Sequence, residues 1–256
     1  MTGEAGSLKV YDQVIIHVFD RAYVTSPEAD YLPFTKSDIE QAIRELDLQL
    51  VTKNVPDIVY TYRSGRSALP DAILEHGNWA IEGKGKSRYA FRKLARFPHF
   101  DVPSDIETTL IPDATPQIVL KYQGSDEQTF LARIRYNRLL DIFTSLTTYH
   151  LQSHFRTTVR GTGQVEVDDL YIGLDVNGAG YILPVEAKVG VKDQLGVIQI
   201  TQMVRFTQHH FLDLIPRPIG VKMMPDGSYM FLEFTVDERP DHIATKRYKR
   251  YRLIRE

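Results

Sequence analysis

The 256-residue chain contains no cysteine and a single tryptophan. The missing thiol excludes disulfides, thiolate-bound structural zinc and sulfur nucleophiles together, so any catalysis must rest on oxygen and nitrogen groups. No apolar run approaches the ~18–20 residues that span a bilayer, and the opening MTGEAGSLKV lacks the basic-then-apolar order of a signal peptide. Neither membrane insertion nor secretion is therefore expected, and a cytoplasmic location is the default. A phosphate-cradling loop is absent too: GTGQVE and EGKGKS lack the full glycine, lysine and hydroxyl spacing, which removes ATP hydrolysis. No nucleophile elbow offers a serine for Ser-His-Asp chemistry, and no internal repeat or low-complexity segment occurs.

What is there is enough apolar material for a real core, 43% of residues, in a chain long enough for one large or two ordinary domains. The formal net charge of −2 hides an uneven distribution. Basic residues gather in GKGKSRYAFRKLAR (83–96) and KRYKRYRLIRE (246–256), and acids in EVDD (166–169).

Residues 12–24 place Val14, Ile15, Val18 and Phe19 at helical spacing. In SDIEQAIREL, Ser37 with Glu40 forms a capping-box pattern ahead of Ile39, Ala42, Ile43 and Leu46. NVPDIVYTYR predicts a third helix from Asn54, with Pro56 in its first turn and a stop near Ser64-Gly65. Residues 78–94 then read as a hairpin around Gly83 and Gly85. Three helices followed by a basic hairpin is the order of a winged helix. In that module one helix enters the major groove and the wing touches phosphates, so Arg63, Arg66, Lys84, Lys86 and Arg88 are the expected DNA contacts. The competing reading is a small structural domain with a solvated hairpin.

Four prolines between 97 and 117 mark a connection, so the chain divides into 1–100, a linker at 101–117, and 118–256. IVLKYQ reads as a strand. Residues 125–152 carry the longest helical pattern, with Ser125 and Gln128 as a capping box and Arg133, Asn137 and Arg138 on its surface as candidate phosphate or base contacts.

Next comes GQVEVDDLYIGLD (163–175), the turn VNGAG, and YILPVEAKVG (181–190): two strands of a hairpin. Alternation places Glu186 and Lys188 on one side of their strand, and Glu166 and Asp168 on one side of the other, with Asp169 opposite or at the edge. Two or three carboxylates and one ammonium therefore meet at one end of the sheet. Like charges that close repel unless neutralised, and a divalent cation of the magnesium type, which favours carboxylate and phosphate oxygens, is the remedy. The adjacent histidines His209 and His210 point apart on a helix and are expected at the surface or in the core rather than on a metal.

The order EVDD, strand, then EAK resembles the PD-(D/E)xK nuclease superfamily, which includes many restriction endonucleases. Residues 125–235 carry the likeness, and the wording RIRYNRLLDIFT, QVEVDDLYIGLD and LPVEAK is similar to bacterial restriction endonucleases. No proline precedes the first aspartate. The resemblance implies a restriction-endonuclease-like α/β core, with a mixed central sheet flanked by helices, behind a winged-helix-like domain. It further implies Mg2+ on Asp168 and Glu186, Lys188 positioning the attacking water, and Asp169 or Glu166 as rivals or helpers. Gln199 in LGVIQITQMV corresponds to a glutamine motif of RecB-like members, although the tyrosine usual there is missing. The expected activity is hydrolysis of double-stranded DNA to 5′-phosphate ends by a type II restriction enzyme acting as a homodimer, with a cognate DNA methyltransferase as a functional partner. The alternatives are a structure-specific repair or recombination nuclease, or a non-catalytic winged-helix regulator.

Overall fold

Residues 9–49, 55–159 and 161–255 are described by the computed structural model. They fall into two compact units that divide at Pro98, with the short turn 161–163 counted in the first.

The first unit runs α1 (Val10–Thr25), β1 (Tyr31–Thr35), α2 (Lys36–Glu45), α3 (Val55–Arg63), the single turn α4 (Asp71–Leu74), β2 (Asn78–Gly83) and β3 (Arg88–Leu94). Val14, Ile15, Val18 and Phe19 are all buried on α1, as their period requires. Helix α2 starts earlier than its sequence signal. Its capping box is Thr35 with Asp38, the Thr35 N–H donating to Asp38 Oδ2 at 2.7 Å, and not Ser37 with Glu40. The start expected for α3 at Asn54 lies outside the described residues, as does most of the opening decapeptide. The helix ends where expected, at Gly65, whose φ of +74° suits a residue without Cβ. The hairpin β2–β3 forms, and β1, which carries no strong strand signal, adds to β3 to give the order β1-β3-β2. Pro33 is tolerated in β1 because this is an edge strand. Phe19 meets Trp79 and Phe91 edge-on at 5.2 and 5.1 Å in the centre of this core.

The second unit contains β4 (Thr108–Pro112), α5 (Gln117–Tyr122), α6 (Glu127–Tyr136), α7 (Leu139–Thr144), β5 (Thr147–Val159), β6 (Gly163–Leu174), β7 (Gly180–Lys188), α8 (Val197–His210), β8 (Ile215–Pro216), β9 (Ile219–Met223), β10 (Tyr229–Phe234) and β11 (Thr245–Ile254). Eight strands form one mixed sheet in the order β4-β11-β10-β9-β7-β6-β5, with β8 beside β7. Strands β7 and β9 pair parallel, β6 and β7 antiparallel. Helices α6 and α7 bury Phe130, Leu131, Leu140 and Phe143 against Leu183, Val185, Ala187 and Phe231 of the sheet. Each of these leucine, valine and phenylalanine side chains contributes roughly 1.5–3 kcal/mol through burial. This is the mixed sheet flanked by helices that the α/β reading expects.

Three local expectations are corrected. Residues 101–117 are not simply a linker, since β4 pairs parallel with β11. Residues 118–122 are helical rather than extended, following Pro116 into α5. The expected helix over 125–152 is two helices and a strand. It is capped by Asp126, whose Oδ1 accepts from the Thr129 N–H at 2.9 Å, in place of Ser125 with Gln128. It breaks at Arg138, where φ is +48°, and again at Ser145, where φ is +57°. β5 then occupies the edge of the sheet. The strand is largely exposed, although Tyr149, Leu151, Phe155 and Val159 alternate with His150, Gln152, His154 and Arg156.

Candidate functional site

The hairpin β6–β7 holds its ladder from Leu174↔Gly180 to Asp169↔Val185. Its turn is tied by Asp175, whose Oδ1 accepts from the N–H groups of Asn177 and Ala179 at 2.9 Å each. Beyond Asp169 the register stops, and Asp168 takes over one freed group: its Oδ2 accepts from the Ala187 N–H at 2.7 Å. The strand ends are thereby held at the point where the charged side chains emerge.

Glu186 and Lys188 share the expected side of β7. Lys188 Nζ lies 2.9 Å from Glu186 Oε1, and the same oxygen accepts from Gln199 Nε2 of α8 at 2.6 Å. Glu186 and Lys188 are 5% and 8% exposed, so this pair is shielded from the solvent that makes ordinary surface pairs weak. Burial works against the Lys188 ammonium, but Glu186 and then Asp168 outweigh it and hold its pKa above the ordinary lysine value. His99, pushed down to about 4 by burial and by Lys188, stays neutral beside this ammonium.

Asp168 is in the opposite condition. Burial, then the neighbouring carboxylates Glu186 and Glu127, push its carboxyl well above its ordinary value. Glu127, in the first turn of α6, is raised for the same reasons, burial first and Glu186 second. One ligand atom each from Glu127, His154 and Asp168 lies within 4.8 Å of the others. Neither Glu127 nor His154 stands out in the sequence. The first is remote from EVDD along the chain, and the second lies between the segments that carry the sequence signals. His154 has φ of +49° in mid-strand. His150 and Ser153 reach Asp169, while the next residue, His154, reaches Asp168.

The donors fit a hard divalent cation: two raised carboxylates repel each other, and Glu186 Oε2 accepts no hydrogen bond among the described residues. The grouping differs from the expected ligand pair. Asp168 clusters with Glu127 and His154, while Glu186 is the hinge between that cluster and Lys188.

The remaining expected residues divide sharply. Glu166 pairs with Arg156 at 2.9 Å and His154 at 3.6 Å beside the cluster. Asp169 points to the other face and is fully buried, taking hydrogen bonds from Ser153 Oγ at 2.6 Å and Tyr171 OH at 2.7 Å, with His150 Nε2 at 2.9 Å. It is a structural anion, not a second ligand. Asn137 is corrected as a DNA contact. It is buried, with Oδ1 accepting from the Ala114 N–H at 2.7 Å and Nδ2 donating to Thr115 and to the Arg133 carbonyl. Arg133 is drawn inward likewise by Asp113 at 3.0 Å. Arg138 is exposed but pairs with Asp141.

In the first unit, Arg66, Lys86 and Arg88 are exposed. Lys84 is pinned 3.1 Å from the buried Glu82, and Arg63 packs its guanidinium against Gly83. The basic C-terminal run is largely neutralised within the fold: Arg247 binds Glu233, Arg250 and Arg252 bind Asp226, and Arg255 binds Asp113. His209 and His210 are exposed at the end of α8. Among the described residues no helix is long and apolar enough to cross a membrane. Compared with protein-family models, curated proteins and solved structures, the chain matches none.

Proposed function

We propose that the chain is a magnesium-dependent endonuclease that hydrolyses phosphodiester bonds of double-stranded DNA, as a type II restriction enzyme does. The observation that carries this reading is the convergence of Asp168, Glu127, Glu186 and Lys188 where the β6–β7 hairpin opens. Glu127, His154 and Asp168 would hold the metal, with the Glu186 carboxylate beside them. When bound, the metal supplies Lewis-acid polarisation of a phosphate oxygen and lowers the pKa of a water ligand.

The protein's own part is positional. Lys188, kept charged by Glu186 and shielded from bulk water, presents an ammonium that orients a nucleophilic water and offsets charge on the scissile phosphate. Gln199 fixes the Glu186 carboxylate, so that the lysine and the acid keep one geometry. Exposed Arg66, Lys86 and Arg88 supply phosphate contacts from the first unit. Cutting both antiparallel strands calls for two copies related by a two-fold axis.

Incubation of mixed plasmid and phage DNA with and without Mg2+ tests the proposal. Discrete fragments are expected only with metal, and Lys188→Ala should bind the same DNA but leave it intact. Cleavage by the lysine variant at the parent's rate overturns the assignment. Cutting only at branched substrates moves the enzyme to repair or recombination.

A further inference from the structure

On the face of β6 opposite Asp168 lies a second polar assembly that the nuclease reading does not use. A cavity of about 150 Å³ opens between α6, α7 and the strands β5 and β6. Its apolar wall is Ile134, Leu140 and the ring of Tyr171, all nearly inaccessible to solvent. Arg135 and Arg138, from the end of α6 and the turn after it, and His150 of β5 line it.

The carboxylate lining the cavity is Asp141, and it is already occupied: Oδ1 takes the N–H and hydroxyl of Thr148, and Oδ2 takes Arg138. Asp169 behind the wall is saturated by Ser153, Tyr171 and His150. Arg135 directs Nε to the Leu131 carbonyl at 3.3 Å, sits 3.9 Å from Asp169 and has Nη1 3.4 Å from His150 Nε2. Its Nη2 has no partner among the described residues. Arg138 spends only Nη2, on Asp141, and leaves Nε and Nη1 without partners there. A ligand complementary to these two guanidinium groups brings acceptor oxygens. We propose that the cavity binds an oxyanion of the phosphate-monoester class, gripped between Arg135 and Arg138.

The physical case rests on preorganisation. Guanidinium groups bind tetrahedral oxyanions through parallel N–H donors, and such charge-assisted bonds strengthen where an apolar floor excludes water. Arg135 is held from behind by Asp169 and by the helix carbonyl. Arg138 leaves the end of α6 in the left-handed conformation, φ +48°, a cost few side chains bear without compensation. A volume of about 150 Å³ admits the phosphate group and a short piece of whatever carries it, but not a folded nucleotide. The same chemistry is offered by free phosphate and by the 5′-phosphate of a nucleic-acid end.

The test is calorimetry on the full chain in chelator-treated buffer, with inorganic phosphate as the probe. Binding is expected, and Arg138→Gln, a largely exposed change that leaves the core alone, should weaken it about ten-fold, with Arg138→Lys in between. An Asp168→Asn variant should bind phosphate as the parent does, because it alters the other face. A short oligonucleotide with a 5′-phosphate is compared with its 5′-hydroxyl twin. Tighter binding of the first, lost in Arg138→Gln, assigns the cavity to nucleic-acid ends, and equal binding with phosphate still bound assigns it to the free ion. No phosphate binding up to about 10 mM, equal affinity in Arg138→Gln, or loss in Asp168→Asn overturns the proposal. The nuclease reading stands apart from each of these results, since it rests on metal-dependent cleavage.

Discussion

Asp168 and Asp169 are adjacent in the chain, yet their carboxylates face opposite sides of one strand and live under opposite conditions. Asp169 is walled in and surrounded by donors, with Ser153, Tyr171 and His150 between 2.6 and 2.9 Å away. Asp168 has one backbone donor and two carboxylates for neighbours. A saturated acid orders the protein around it. An acid crowded by its own kind holds repulsion that a cation relieves, and that is the condition of a working ligand. What separates the two acids is the supply of donors around each.

The largest effect expected from breaking this contrast is on cleavage. Asp168→Ala should lower the rate of plasmid cutting by a factor on the order of 10³ or more while its urea midpoint stays at or above the parent's. Asp169→Ala should do the reverse. Removing the acceptor leaves the buried Tyr171 hydroxyl and the Ser153 hydroxyl without their partner, at a cost of about 2 kcal/mol in urea unfolding, and activity should fall only with the folded fraction. Equal stability losses in the two variants would erase the distinction.

A smaller effect sharpens it through pH. Asp168 is pushed above its ordinary value by burial and its acidic neighbours, and Glu127 in the same direction. Between the unfolded and the higher folded pKa the native state carries more protons than the unfolded chain, so stability of the metal-free protein falls as pH rises through that window. Asp168→Asn removes its share. The stability advantage of this variant over the parent should grow as pH rises above the ordinary aspartate value of 3.8 and vanish well below it, where the aspartic acid is neutral in both states. An advantage independent of pH removes the electrostatic account. The smallest effect is expected of Tyr171→Phe, which deletes one of several donors to Asp169 and should cost about 1 kcal/mol in the same unfolding measurement.

Much of the frame was legible because it depends on local pattern. The helical period of α1 buries the four residues it nominates, and the hairpins form where glycine and asparagine interrupt β-prone runs. Two kinds of error were physical rather than accidental. The start of β5 reads as helix because Leu139, Leu140, Phe143 and Leu146 carry a helical period up to it, which masks the alternation of Tyr149, Leu151 and Phe155 that follows. Arg133 and Asn137 looked like ligands for DNA because polar residues on a helix are ordinarily exposed, and nothing local discloses that Asp113 and Thr115, some twenty residues earlier, turn them inward. The C-terminal cations were similarly read as a patch, while Glu233, Asp226 and Asp113 neutralise most of them.

Chain order alone determined that an acid-bearing strand precedes a second strand ending in Glu186 and Lys188, and alternation alone put that pair on one side. Period and capping are short-range properties, so a linear reading reaches them. Tertiary structure decided that Glu127 and His154 join Asp168, that Asp169 serves the opposite face, and that two arginines line a cavity there. Those outcomes depend on which donors arrive from distant segments, and distance along the chain carries no record of distance in space.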